Sequence, residues 1–158
     1  MSAPATLDHA GIAARVPHAG RMCLLDRLLR WDATRIECRA TSHRDAMNPL
    51  RGDDGLLAVC AIEYAAQAMA LHGGLSAPEG STPRPGYIAS VRNVQSRVSR
   101  LDDIEGELVV TAERLAGDAS QVLYAFEVAD ERGRNLVTGR AAVVLNTPVT
   151  MATQGPPP

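Results

Sequence analysis

From Leu56 to Leu71 every position is apolar or aromatic except Glu63 and Gln67. The stretch is rich in Ala and Leu and meets no Gly or Pro before Gly73-Gly74, so it predicts one long helix with a glycine stop. A membrane span needs about 20 apolar residues and tolerates a carboxylate and an amide poorly, so this run predicts a helix of a protein core.

The flanking segments carry a different period. Arg35 to Arg39 alternates, with Ile36, Cys38 and Ala40 on one side and Arg35, Glu37 and Arg39 on the other, as a half-buried strand requires. Before it, Met22 to Arg30 predicts a strand ending in a turn at Trp31-Asp32-Ala33-Thr34. Asp8 to Arg15 predicts one or two helical turns with Asp8 near the N-cap, ended by Val16-Pro17. His43 to Gly55 and Ser76 to Pro85 read as loops. After them come four predicted strands: Tyr87 to Val98, Gly106 to Leu115, Val122 to Ala129 and Arg134 to Leu145, with turns at Ala116-Ala119 and Asp130-Gly133.

Two strands, one apolar helix and four further strands predict an α+β unit in which an antiparallel sheet wraps a central helix, the order of the hotdog fold. One domain over residues 8–146 is expected, with 147–158 a disordered tail ending in three prolines. A single sheet around a single helix leaves a strand edge open, so a homodimer or higher homo-oligomer is expected.

Charge and composition remove several classes of function. A net charge of −2, with one Trp and one Phe, argues against a nucleic-acid partner. All 16 basic residues are Arg, so neither Schiff-base chemistry nor a phosphate-loop lysine is available. Cys23, Cys38 and Cys60 are widely spaced and set in apolar surroundings, so they read as reduced core residues; no metal and no cofactor is expected. The first residues lack a basic region followed by an apolar one, so the cytoplasm is the expected compartment, with no membrane partner.

Glu63 is the main candidate for chemistry, because an ionised carboxylate in apolar surroundings costs several kcal/mol unless it is paired or its proton affinity rises. Gln67, four residues on, shares its helical face and can orient the carboxylate or bind a ligand's polar atom. His72 lies about half a turn off that face and reads, with His9, as a surface or packing residue. Arg97 and Arg100 flank a loop and are candidates to meet an acidic carrier protein, with a pair of solvated arginines the commoner explanation.

Two segments together resemble the hotdog-fold 3-hydroxyacyl carrier-protein dehydratases, and more closely those of aryl polyene gene clusters, over roughly residues 12 to 145. One is Val16-Pro17-His18-Ala19-Gly20-Arg21-Met22-Cys23-Leu24-Leu25-Asp26-Arg27; the other is Ile62-Glu63-Tyr64-Ala65-Ala66-Gln67. The resemblance implies an acyl thioester on carrier protein or coenzyme A, with Glu63 protonating the departing C3 hydroxyl. It also implies N–H groups near Ala58 and Val59 polarising the thioester carbonyl. The family's base is a histidine fourteen residues before the acid. Here that position is Pro49, beside Asn48, and no histidine stands between His43 and His72. Asn48 cannot act as a base near neutral pH, and with Gln67 and Pro49 it reads as positioning substrate; His43 is the substitute base if its loop folds back. His18 reads as an orienting or loop-packing residue. Two rivals follow from the missing histidine: a thioesterase on the same scaffold, and a non-catalytic acyl-binding subunit completing a heteromeric dehydratase.

Overall fold

The computed structural model describes residues 3–78 and 86–145. A short helix α1 (His9–Ala13) precedes strands β1 (Arg27–Trp31) and β2 (Arg35–Ala40); the long helix α2 (Ala61–Ser76) follows, and then β3 (Gly86–Ser96), β4 (Leu108–Gly117), β5 (Gln121–Asp130) and β6 (Asn135–Leu145). All six strands form one antiparallel sheet in the order β1-β2-β4-β5-β6-β3, curled around α2. The α+β hotdog architecture expected from the element order is the one observed.

The alternating strands bury the faces their pattern predicts. Val122, Tyr124, Phe126 and Val128 on β5 point inward, as do Ile36, Cys38 and Ala40 on β2. Against them α2 sets Ala61, Tyr64, Ala65, Ala68 and Leu71, all fully buried. The small alanines let the helix approach the sheet closely, while each buried Leu, Ile or Val contributes about 1.5–3 kcal/mol relative to exposure.

Local chemistry sets the turns. Asp8 caps α1 by accepting from the Gly11 N–H at 2.8 Å. Between β5 and β6, Asp130 accepts from the N–H groups of Arg132 and Arg134, and Gly133 takes a φ of 88° that suits glycine. Before α2, Gly55 sits at φ 90° with the Asp102 carboxylate where a Cβ would fall, 2.6 Å from its Oδ1. Asp102 there accepts from the Leu56 N–H at 2.8 Å and pairs with Arg100, whose guanidinium holds the carboxyl well below the usual range.

Three expectations shift. The strand expected over Met22–Arg30 begins only at Arg27, because residues 20–22 form a 3-10 turn and the backbone of Met22 and Leu24 bonds the Gln67 side chain of α2 in place of a neighbouring strand. Helix α2 runs past Gly73-Gly74 to Ser76: both glycines are exposed, neither has a positive φ, and continuing one turn buries Leu75. The turn expected at Ala116–Ala119 forms slightly later, around Asp118, which accepts from the N–H groups of Ser120 and Gln121. The expected tail at 147–158 and most of the Ser76–Pro85 loop lie outside the described residues.

The two sheet edges differ. The outer side of β1 is short and bridged by Leu7 to Leu28. Strand β3 is eleven residues long, pairs with β6 alone, and is largely exposed, Tyr87 at 60% and Val94 at 42%. An uncovered edge of that length is a template for a further strand.

Two histidines are sealed inside. His72 receives a hydrogen bond from the Tyr124 hydroxyl at its Nδ1 (2.8 Å) and donates from Nε2 to the Asp32 carbonyl (2.8 Å), and His43 donates from Nε2 to the Ile104 carbonyl (3.0 Å). His72 is therefore a packing residue of the core. Burial lowers the proton affinity of both imidazoles below the ordinary value near 6.5. The unfolded chain thus binds protons that the folded chain refuses. The stability this gives is fully present above the unfolded value and is lost as pH falls through the lowered folded values, at up to about 1.4 kcal/mol per pH unit for each group. Urea midpoints measured from about pH 7.5 down to pH 5 should fall; a midpoint flat over that window would contradict neutral burial.

Candidate active site

Glu63 stands in the first turn of α2, after a 3-10 turn over Ala58–Cys60. Its side chain is 32% exposed, so it lies at the margin of the apolar core, with access from solvent. No arginine is paired with it among the described residues. Its partner is His18, whose Nε2 lies 2.8 Å from Oε1. Gln67 Nε2 approaches the same oxygen at 3.4 Å. Both neighbours therefore converge on Oε1, and Oε2 makes no hydrogen bond among the described residues.

His18 reaches this place because Gln67 clamps its segment to the helix. The Gln67 side chain is fully buried; its Oε1 accepts from the Leu24 N–H at 2.8 Å and its Nε2 donates to the Met22 carbonyl at 2.6 Å. A second set of hydrogen bonds holds the same segment from the other side. Asn48 donates to the Tyr64 hydroxyl (3.1 Å), Tyr64 donates to Ser42 Oγ (2.8 Å), and Ser42 donates to the Leu24 carbonyl (2.7 Å). The terminal carbonyl can only accept, which sets the direction of the whole chain. Burial pushes the Tyr64 phenol up to about 12, so it remains a neutral donor.

Placement revises several sequence-based roles. His18, read as orienting or packing, is the imidazole in contact with the acid. Its Nδ1 is sealed and unpartnered, which leaves Nε2 as the working nitrogen. His43 is fully buried on Ile104 and does not supply the base. Asn48 is 6% exposed and every polar atom is committed: Nδ2 to the Ser42 carbonyl and Tyr64, Oδ1 to the Leu50 N–H. It therefore organises the loop, and has no free group for a substrate. Pro49 is exposed beside it. The Ala58 N–H donates to the Ser99 carbonyl at 2.9 Å, so it is no oxyanion donor; Val59 follows it in the 3-10 turn and is 63% exposed. Cys60, one turn before Glu63, has its thiol proton affinity raised, first by burial, and is no nucleophile at neutral pH.

The residue missed was thus His18, forty-five positions before Glu63 and linked to it by no periodicity. The signal available was its position in the Pro17-His18 to Asp26-Arg27 segment, the same segment that carries the resemblance.

The site thus sets an acid in the first turn of the sheet-wrapped helix with an imidazole on one of its oxygens, on a hotdog fold. The chain belongs to the ApeP-like family of dehydratases, whose model matches residues 10–154. Its fold is similar to a chain of the dehydratase heterocomplex ApeI:P from Xenorhabdus doucetiae, at 25% identity and a TM-score of 0.77, covering 87% of this chain and 91% of that one. It also resembles a hypothetical thioesterase with coenzyme A from Streptococcus pneumoniae (10% identity, 75% and 84% covered, TM-score 0.53). A thioesterase from Haemophilus influenzae is similar as well (12%, 79% and 80%, 0.58). These last two likenesses concern the fold alone. No curated protein matched.

Proposed function

We propose that this protein dehydrates 3-hydroxyacyl thioesters borne on a carrier protein or coenzyme A, in biosynthesis of the aryl polyene type. Family membership supports the reaction class, and the 2.8 Å contact between His18 and Glu63 is the observation that carries the mechanism. With Oε1 held by His18 and Gln67, Oε2 meets the substrate. It takes the C2 proton while the Val59 N–H stabilises charge on the thioester oxygen. The C2–H electron pair becomes the C2=C3 bond, the C3–O bond breaks, and the same proton passes from Oε2 to the departing oxygen as water. The carboxylate is restored, with His18 and Gln67 holding Oε1 in place.

Met47, Leu57 and Val59 stand 63%, 47% and 63% exposed on the segments leading into α2, an apolar surface suited to an acyl chain or to a partner subunit. The ApeI:P neighbour is a heterocomplex, and the open β3 edge suits strand pairing, so we read the working form as this chain joined to a second hotdog subunit through β3, a homodimer being the simpler arrangement.

The deciding assay presents a 3-hydroxyacyl carrier protein and follows the acyl mass together with free thiol. Loss of water with the thioester intact is expected. Thiol release without water loss would replace the proposal by the thioesterase reading, and inertness alone but turnover after mixing with a partner would make this chain one half of the enzyme.

A further inference from the structure

We propose that Tyr64 is a positioning residue of the active site: its buried hydroxyl joins the loop ahead of α2 to the segment that carries His18, and so sets the imidazole against Glu63. The proposal rests on the reading of that pair given above. Tyr64 directly follows Glu63 on α2 and is fully buried. A phenylalanine would fill the same core space with no polar atom to satisfy, so the sealed hydroxyl calls for a reason beyond packing.

Three separate segments meet at that hydroxyl. It accepts from Asn48 Nδ2 at 3.1 Å and donates to Ser42 Oγ at 2.8 Å, and Ser42 donates in turn to the Leu24 carbonyl at 2.7 Å. Asn48 also donates to the Ser42 carbonyl at 2.9 Å, which draws the two ends of the loop together. Where the resemblance sets a basic histidine on this loop, the chain has Pro49 and, beside it, an amide committed to the brace.

The brace ends on the segment of the imidazole. Leu24 is gripped at both polar groups of its backbone, the N–H by Gln67 and the carbonyl by Ser42. Both grips start from α2, so the acid and the segment bearing its imidazole share one frame. From Leu24 the chain runs back into the 3-10 turn over Gly20–Met22, where the Met22 N–H donates to the Ala19 carbonyl at 3.2 Å and the Cys23 N–H to the Gly20 carbonyl at 3.1 Å. His18 stands directly ahead of Ala19. Its Nδ1 is sealed without a partner, and Glu63 is the one polar contact of its Nε2 among the described residues, so the backbone it hangs from sets the ring's place. A misplacement of about 1 Å at a reacting group costs on the order of a hundredfold in rate.

The test uses the full-length protein with Tyr64→Phe, which keeps the ring, and Ser42→Ala, which cuts the same relay without touching α2. Each is made alone and together with His18→Ala. The first measurement is independent of turnover: the ring nitrogens of His18 are followed by ¹⁵N NMR, with Glu63→Ala giving the resonances of an imidazole that has lost its partner. Both relay variants should move the His18 resonances toward those values. Unmoved His18 resonances in both folded variants would overturn the proposal.

Single-turnover dehydration supplies the second measurement. Each relay variant should lower the rate by roughly 10- to 100-fold with KM little changed. Added to His18→Ala, the same substitution should cost no more than about twofold further, because the group it positions is already gone. Equal losses with and without His18 would make Tyr64 a general support of the core and overturn its positioning role. Displaced His18 resonances in a protein that dehydrates nothing would uphold the positioning while removing the dehydratase reading.

Discussion

Replacing Glu63 by Gln is expected to lower dehydration by roughly 100- to 10,000-fold, the range for removing a positioned acid/base. The amide keeps the size of the side chain and the hydrogen bond at Oε1 but can neither take the C2 proton nor return it to the hydroxyl. His18→Ala is expected to fall in the same range, because the remaining carboxylate loses the 2.8 Å contact that orients it. The His18 side chain is 27% exposed, so its removal sacrifices little packing, and the thermal midpoint of the folded protein should barely move. The double variant decides whether the two act together. Groups that form one device are strongly non-additive, so Glu63→Gln with His18→Ala should be little worse than Glu63→Gln alone. Independent, multiplying losses in single-turnover rates would show that His18 acts elsewhere, and unchanged turnover in Glu63→Gln would remove the acid from the mechanism altogether.

The largest effect on stability is expected at Gln67. Gln67→Leu keeps roughly the same volume but strips two partners from the segment that carries His18, the buried Leu24 N–H and the Met22 carbonyl. An unsatisfied buried polar group costs about 1–3 kcal/mol, so a loss of roughly 2–5 kcal/mol is expected in urea unfolding. Activity should fall by more than the folded fraction explains, because the released segment no longer holds His18 at Oε1. An unfolding midpoint equal to wild type would contradict the clamp. Preserved stability with reduced activity would restrict Gln67 to orienting Glu63 through its longer 3.4 Å contact.

These two outcomes bear on the rival readings as well. A thioesterase or a non-catalytic subunit gained weight from the sequence because the family histidine is absent ahead of the acid. The pairing of His18 with Glu63 restores an imidazole to the site by another route. It comes from the N-terminal segment of the same chain, where the resemblance placed the base on the loop before the helix.

The sequence by itself determined the elements and the acid. Alanine and leucine without a breaker dictate α2, and the alternation through Val122, Tyr124, Phe126 and Val128 dictates a strand with a buried face; Glu63 is conspicuous because nothing nearby is charged. Such patterns record neighbours a few residues apart, through helical propensity and the two-residue pleat. Tertiary structure alone decided what meets Glu63. Gln67 reaches Leu24 across 43 positions, Asn48 turns inward to Tyr64, and Arg97 comes beside Arg134, each by side-chain and backbone hydrogen bonds that exist only once the helix is packed in the sheet. No local period encodes those meetings, since the free energy that selects them is the burial and mutual satisfaction of polar groups supplied by distant segments.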